Sequence, residues 1–213
     1  MSLQARVSLR IRERMLRHLP LTSGTRFLEV GATPDMYLAD SNYFSVRAAG
    51  MGCEVWVTSP EDCAEMAKVH GFHWLSFDRY MGLTRESSTF DVVLSSAVLE
   101  HVGSNDAKTA HLQRMGEIAR HCVAATTPNR GHWLEFHTKL PFLHWLPKRA
   151  HRSMLRVLGM RRWASAEMLD LLGARAFRRV VEAAWEGWDV RYPRITWAGG
   201  VSNLMAVGTR RTP

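Results

Sequence analysis

Phe90-Asp91-Val92-Val93-Leu94-Ser95-Ser96-Ala97-Val98-Leu99-Glu100-His101-Val102 is the stretch on which the reading of this chain turns. Asp91 to Leu94 reads as a buried strand. Ser95-Ser96-Ala97 reads as a turn of small residues. A short amphipathic segment carrying Glu100 and His101 follows. A parallel strand that ends in small residues and then polar groups builds a ligand crevice at the carboxyl edge of an open α/β sheet.

The flanking sequence extends that pattern in both directions. Residues 5–19 are expected to be helical, with Val7, Ile11, Met15 and Leu19 on one face and arginines on another. Pro20 and Gly24 end this helix. It is either a lid on the sheet or a basic amphipathic helix that touches phospholipid. Arg26–Val30 is a strand ending at Gly31. A Pro-containing loop covers 32–39, and Ser41 is the expected N-cap of a helix through Ala49. Cys53–Val57 is a strand, 60–69 a helix with Glu61 and Asp62 in its first turn, and Trp74–Phe77 a third strand. Beyond the opening stretch come a helix at 107–121 and a fifth strand at 121–126. Residues 129–163 break the rhythm with tryptophans, phenylalanines, prolines and histidines. A helix at 174–184 and strands at 188–197 and 203–209, joined across Gly199-Gly200, complete the chain.

Strands alternating with helices predict an α/β fold with a doubly wound, mostly parallel sheet of seven strands. The expected organisation is a single domain over 1–213, with a basic helix in 1–22 and an aromatic cap at 129–163, which is too short for a core of its own.

With 213 residues and 46% hydrophobic content, the chain is long enough for one sizeable core. No apolar run reaches the roughly 18 residues of a membrane span, and the amino terminus lacks an apolar signal core. Cys53, Cys63 and Cys122 are odd in number and widely spaced, so neither a disulfide framework nor a zinc site is expected. A cytoplasmic setting fits best. The formal net charge of +8 fits nucleic acid, an anionic membrane surface or an acidic substrate, or simply an arginine-rich chain.

The opening stretch also resembles the fourth-strand motif of class I S-adenosylmethionine-dependent methyltransferases, "FDxVxSxxVLEHV". Within that class the chain is most similar to a type 11-like bacterial group whose first motif reads "GxTPD…SNxF". Gly31-Ala32-Thr33-Pro34-Asp35 and Ser41-Asn42-Tyr43-Phe44 carry that likeness here. So do Thr127-Pro128-Asn129-Arg130, Glu135-Phe136-His137-Thr138 and the block from Leu140 to Pro147. The resemblance implies a Rossmann-like fold and S-adenosylmethionine as cofactor. By its positions, Glu29 serves the cofactor's amino group or the loop backbone, Asp78 the adenine amine, and Ser95 and Ser96 close approach to the methionine portion. Two departures stand out. Of the usual glycine-rich loop only Glu29 and Gly31 remain, and Pro34 sends the loop along another path. Where the second strand usually ends in a ribose-binding acid, this chain has Thr58 and Ser59, so Glu61 or Asp62 is the expected substitute.

The chemistry needs a base when the acceptor is a hydroxyl. Glu135 and His137 lie two residues apart, so on an extended segment both face the same way and the carboxylate orients the imidazole. His101 is the other candidate base, or else a structural partner for a backbone carbonyl. No metal is expected, for want of a recognisable ligand spacing. The expected function is a methyltransferase for a small-molecule, glycan or lipid-linked acceptor, methylated at oxygen. Peripheral membrane contact is one option for the basic amino-terminal helix. The alternatives are a non-catalytic relative and a nucleic-acid methyltransferase; the latter lacks both the Pro-Pro motif after the fourth strand and an appended RNA-binding motif. A nicotinamide enzyme is disfavoured because no G-x-G-x-x-G follows the first strand.

Overall fold

The computed structural model describes residues 3–38, 40–87, 89–165 and 168–211. Met1 and Ser2 of the expected first helix and Ala39 at the end of the expected loop lie outside them. Among the described residues, eight strands form one sheet: β1 (Arg26–Val30), β2 (Glu54–Thr58), β3 (His73–Trp74), β4 (Phe90–Ser96), β5 (Ala119–Pro128), β6 (Trp188–Arg191), β7 (Arg194–Trp197) and β8 (Gly200–Arg210). The order is β3-β2-β1-β4-β5-β8-β6, with β7 also on β8. The first five strands are parallel, and β8 runs antiparallel to β5, β6 and β7.

The expected seven strands become eight because the segment 188–197 is split at Tyr192-Pro193. Proline has no N–H for a ladder. Both halves nonetheless pair along the same long strand β8. Ala198 and Gly199, at φ 47° and 84°, form a tight two-residue turn from β7 into β8.

Among the described residues, seven α-helices accompany the sheet: α1 (Leu3–Leu16), α2 (Tyr43–Gly50), α3 (Ala64–His70), α4 (Phe77–Gly82), α5 (Asn105–Ile118), α6 (Lys148–Val157) and α7 (Ala174–Ala184). Side chains alternate across the strands, so the sheet splits its core in two. Phe27, Val55, Val57, Val92 and Leu94 pack with Ile11, Met15, Phe44 and Met66 on one face. Leu28, Val93, Val123 and Ala125 pack with Leu112, Met115, Phe177, Val181 and Trp185 on the other. The indole of Trp185, 2% exposed, donates to the Leu112 carbonyl at 2.8 Å, so its one polar atom is satisfied inside the core.

Several local expectations are corrected. Ser41 does not cap α2. Asn42 occupies that position at φ 50°, and the Ser41 hydroxyl donates to Asp35 instead. Glu61 and Asp62 precede α3 rather than opening it. Asp62 Oδ1 accepts from Ala64 N at 2.9 Å, which ends the turn and starts the helix two residues later. The third strand is only His73–Trp74, and Phe77 already belongs to α4. Ile11, Met15 and Leu16 of α1 are buried in the core. Arg12 pairs with Asp40 at 3.3 Å, fastening this helix over the carboxyl end of the sheet as a lid.

Candidate active site

Strand parity decides which polar groups reach the crevice. Ser96 and Thr126 follow Leu94 and Ala124 toward the α1 side, and their hydroxyls meet at 3.0 Å. Ser95 follows Val93 to the other face, where its hydroxyl bonds His111 Nε2 at 3.0 Å. Two cavities open on the α1 side at the carboxyl ends of the strands. A smaller one of about 260 Å³ is lined by Glu29, Gly31, Thr33 and Asn42 among others. A larger one of about 530 Å³ is lined by Glu100, Thr126, Phe136, His137, Trp197 and Asn203 among others. Both are also lined by Arg12, Asp40, Ser96 and Ala97, so they adjoin.

The loop after β1 explains its own sequence. Asn42 Oδ1 accepts from Thr33 N at 2.9 Å, and its Nδ2 donates to Thr33 O at 2.8 Å. Asp35 accepts from Tyr37 N and Leu38 N, both at 3.2 Å. The GATPD and SN segments therefore hold each other through side-chain bridges. Gly31 sits at φ +93°, and a Cβ there would lie 2.3 Å from Val98 Cγ2. Its requirement for glycine comes from the backbone and from Val98, not from ligand approach alone. The Glu29 carboxylate accepts from Ser45 N at 3.2 Å and Ser45 Oγ at 2.5 Å. Burial pushes its pKa up, and these bonds offset only part of that.

Glu135 and His137 meet as the sequence predicts, though through a turn rather than an extended segment. The carboxylate accepts from His137 Nδ1 at 2.7 Å, from His137 N at 2.8 Å, and from Thr138 N and Oγ1 at 2.5 and 2.6 Å. Although burial opposes it, these bonds and the imidazole's charge hold Glu135 down at about 2. Burial pulls His137 down, but Glu135 and then Glu100 win and hold it above its ordinary value. His137 Nε2 lies 3.8 Å from Glu100 Oε1.

Glu100, to which the sequence pattern assigned no role, stands beside His101 in the opening stretch. It is fully buried. Its Oε2 accepts from Thr127 Oγ1 at 2.8 Å, and its Oε1 has no hydrogen-bond partner. Its backbone is pinned by Asp170 N, which donates to Glu100 O at 2.7 Å. Asp170 in turn is held by the buried Lys108 at 3.0 Å. His101 directs Nδ1 to the Met168 carbonyl at 2.6 Å, the structural alternative weighed for it. Glu29, Gly31, Ser96 and His137 thus come together along the crevice. Ser95 points away beneath it. Thr58, Glu61, Asp62 and Asp78 line neither cavity.

No protein-family model and no curated sequence matches the chain. Solved structures do. Magnesium protoporphyrin IX methyltransferase from Synechocystis, solved with bound SAH, superposes with a TM-score of 0.62 at 12% identity, over 98% of this chain and 86% of its own. The N-methyltransferase NodS from Bradyrhizobium japonicum gives 0.55 at 14% identity, over 96% and 97%. The fold is that of class I methyltransferases. A Rhodobacter sphaeroides chain provisionally assigned as a Zn-dependent alcohol dehydrogenase gives 0.62 at 11% identity over the whole of both chains. Likeness at these identities establishes architecture, and the activity has to be argued from the site.

Proposed function

We propose that this chain is an S-adenosylmethionine-dependent methyltransferase for a small-molecule, glycan or lipid-linked acceptor, methylated at oxygen. One observation carries the reading: two adjoining cavities meet at Ser96 and Ala97, one lined by the loop after β1 and the other by the aromatic insertion. Methyl transfer requires donor and acceptor to be held end to end, and positioning supplies much of its rate. At about 530 Å³ the larger cavity falls within the roughly 300–1,000 Å³ of small-molecule sites. S-adenosylmethionine, when bound, supplies an electrophilic methyl group on a sulfonium.

Glu29 and the loop backbone at Gly31 and Thr33 are the groups that would hold the cofactor. Of the two candidate ribose acids, Glu61 has the freer carboxylate, because Asp62 is committed to Ala64 N. Ser96 and Ala97 leave room for the reacting atoms where the cavities join. Phe136 and Trp197 wall the acceptor side and exclude water there. An acceptor hydroxyl must also lose its proton. His137, held by Glu135 and facing Glu100, is the acid–base group at that wall, with His101 behind it.

The test is calorimetric titration with S-adenosylmethionine and S-adenosylhomocysteine. One site per chain for each is expected. No heat and no thermal shift at millimolar ligand would overturn the reading in favour of a non-catalytic protein.

A second observation favours a lipid-linked acceptor. Residues 139–165 hold seven Lys and Arg and no Asp or Glu, against a net charge of +8 for the whole chain. Within this stretch Phe142, Trp145, Met154, Val157 and Leu158 are exposed, Val157 at 81%. An apolar stripe flanked by cations is the composition of a helix that lies on an anionic membrane surface. The membrane contact first expected of α1 belongs, in this reading, to α6 and the turn before it.

A further inference from the structure

We infer that Glu100, His101 and His137 form a site for one divalent transition-metal cation at the wall of the acceptor cavity. One ligand atom from each lies within 4.8 Å of the others. Nothing in their sequence spacing announces this. Glu100 and His101 are adjacent, and His137 arrives from the far side of β5.

Three features argue for a ligand here rather than a chance meeting. The first is Glu100 Oε1, fully buried and without a hydrogen-bond partner, facing His137 Nε2 at 3.8 Å, beyond hydrogen-bond reach. A buried carboxylate oxygen left unpaired is costly, and a cation removes the cost.

The second is the pair of tautomers. His137 Nδ1 faces the Glu135 carboxylate at 2.7 Å, and His101 Nδ1 faces the Met168 carbonyl at 2.6 Å. Both partners only accept, so both Nδ1 atoms carry the hydrogen. With the hydrogen on Nδ1, the nitrogen of each imidazole that can offer a lone pair to a cation is Nε2. Metal-binding histidines are oriented in this way, by a carboxylate or carbonyl on the other nitrogen.

The third is geometry and charge. Donors about 2.0–2.2 Å from a metal stand roughly 3–4 Å apart. His137 Nε2 and Glu100 Oε1 already stand at 3.8 Å, and a ring nitrogen of His101 lies within 4.8 Å of both ligand atoms. Glu100 and Glu135 bring two buried carboxylates to one corner. Among the charged groups lining the cavity, Arg12 is paired with Asp40 and Lys139 is exposed.

Two imidazoles and one carboxylate suit Zn²⁺, Mn²⁺, Fe²⁺ or Co²⁺ better than Mg²⁺ or Ca²⁺, which take all-oxygen shells. The three ligands leave coordination positions for an acceptor oxygen on the cavity side. The cation would act there as a Lewis acid. The acceptor O–H bond breaks and its proton leaves to water. The oxygen's electron pair then forms the new C–O bond as the methyl–sulfur bond breaks, with no change of metal oxidation state. In this scheme the cation takes over from His137 the task of activating the hydroxyl. That purpose rests on the methyl-transfer reading; the binding itself does not.

The experiment uses the full chain, stripped with EDTA and shown folded by circular dichroism. It is titrated with Co²⁺, Mn²⁺, Zn²⁺ and Mg²⁺ by calorimetry, with the Co²⁺ visible spectrum recorded. One Co²⁺ per chain with ligand-field bands, and Mg²⁺ much weaker, is expected. Glu100→Gln, His101→Gln and His137→Gln should each weaken Co²⁺ binding by about 100-fold or more. Glu135→Gln, which disturbs only the orientation of His137, should weaken it by about 10- to 100-fold. His101 is exposed, so its variant should fold even if the Glu100 variant does not. Absence of Co²⁺ binding by the folded protein, or parental affinity in His101→Gln, overturns the site. S-adenosylhomocysteine is titrated into the stripped protein in parallel. Nucleoside binding without metal binding defeats the metal site and leaves the methyltransferase reading standing. Metal binding without nucleoside binding does the reverse.

Discussion

At the scale of single residues, the crevice is governed by which way each side chain of a strand end points. Ser95 and Ser96 look equivalent in the sequence, and one step of strand parity sends them to opposite faces of the sheet. Glu29, Gly31 and the Glu135–His137 pair were legible because each has a strong local signature. Glu100 was not, because its meaning lies in a partner 37 positions along the chain, at His137. Asn42 was hidden behind Ser41, the more familiar capping residue. Its φ of 50° and its bonds to Thr33 make it the clasp of the loop. Asn42→Gly tolerates that φ but loses the bonds, at about 0.5–1.5 kcal/mol each. Chemical denaturation should show a loss of about 1–3 kcal/mol, with weaker S-adenosylhomocysteine binding in calorimetry. Asn42→Ala should lose more, since alanine also resists positive φ. Parental stability in Asn42→Gly would mean the loop is held elsewhere.

At the scale of elements, β1 and α7 could be read to the residue because each has one dominant signal, whereas the strand expected at 91–94 extends over Phe90–Ser96, its ladder to β5 continuing through Ser95 and Ser96, which were expected to turn. β1 and β4 are buried runs ending in small residues, and α7 has a clear helical period. The segment after β2 could not. β3 is a two-residue edge strand, and Trp74-Leu75-Ser76-Phe77 is apolar enough to read as a longer strand until Phe77 enters α4. The insertion was recognisable as an interruption, but its helix α6 was not, because Pro141 and Pro147 both precede it and half of its ten residues are arginine, lysine or histidine, with few apolar positions to show a period. α6 turns His151 and Leu155 inward and leaves Met154 and Val157 outside. If that outer face meets anionic lipid, the protein should co-sediment with phosphatidylglycerol vesicles and not with phosphatidylcholine ones. Added salt should release it, since the attraction is screened. Val157→Asp with Met154→Asp should cut the bound fraction several-fold while leaving the melting temperature unchanged, because neither side chain touches the core. Equal sedimentation with both vesicle types would remove charge from the argument.

At the scale of the whole molecule, the two faces of the sheet carry different duties. The α1 side is opened by cavities at its carboxyl end, and the α5–α7 side is packed on a continuous apolar core. His111 on α5 is one of the polar groups on the closed side, bonded to Ser95 beneath the crevice. Burial lowers its pKa from 6.5 to about 4, so the folded protein holds it neutral. The unfolded chain binds a proton below about 6.5, and the folded one only near 4. Its contribution to stability is therefore complete above about 6.5 and is lost as the pH falls through that window. A shift of this size corresponds to about 3 kcal/mol at most, and partial exposure of the ring screens it to about 1–2 kcal/mol. His111→Gln should flatten the pH dependence of unfolding free energy between pH 6.5 and 4 by that amount. Acidic groups that also lose stability in acid, such as Asp170 with its lysine partners, contribute equally to both proteins and cancel in the difference. Denaturation curves at four or five pH values in that window, for parent and variant, measure it directly. Parallel curves would mean that His111 takes up its proton as readily in the fold as out of it, and that the closed face is wetter than its packing implies.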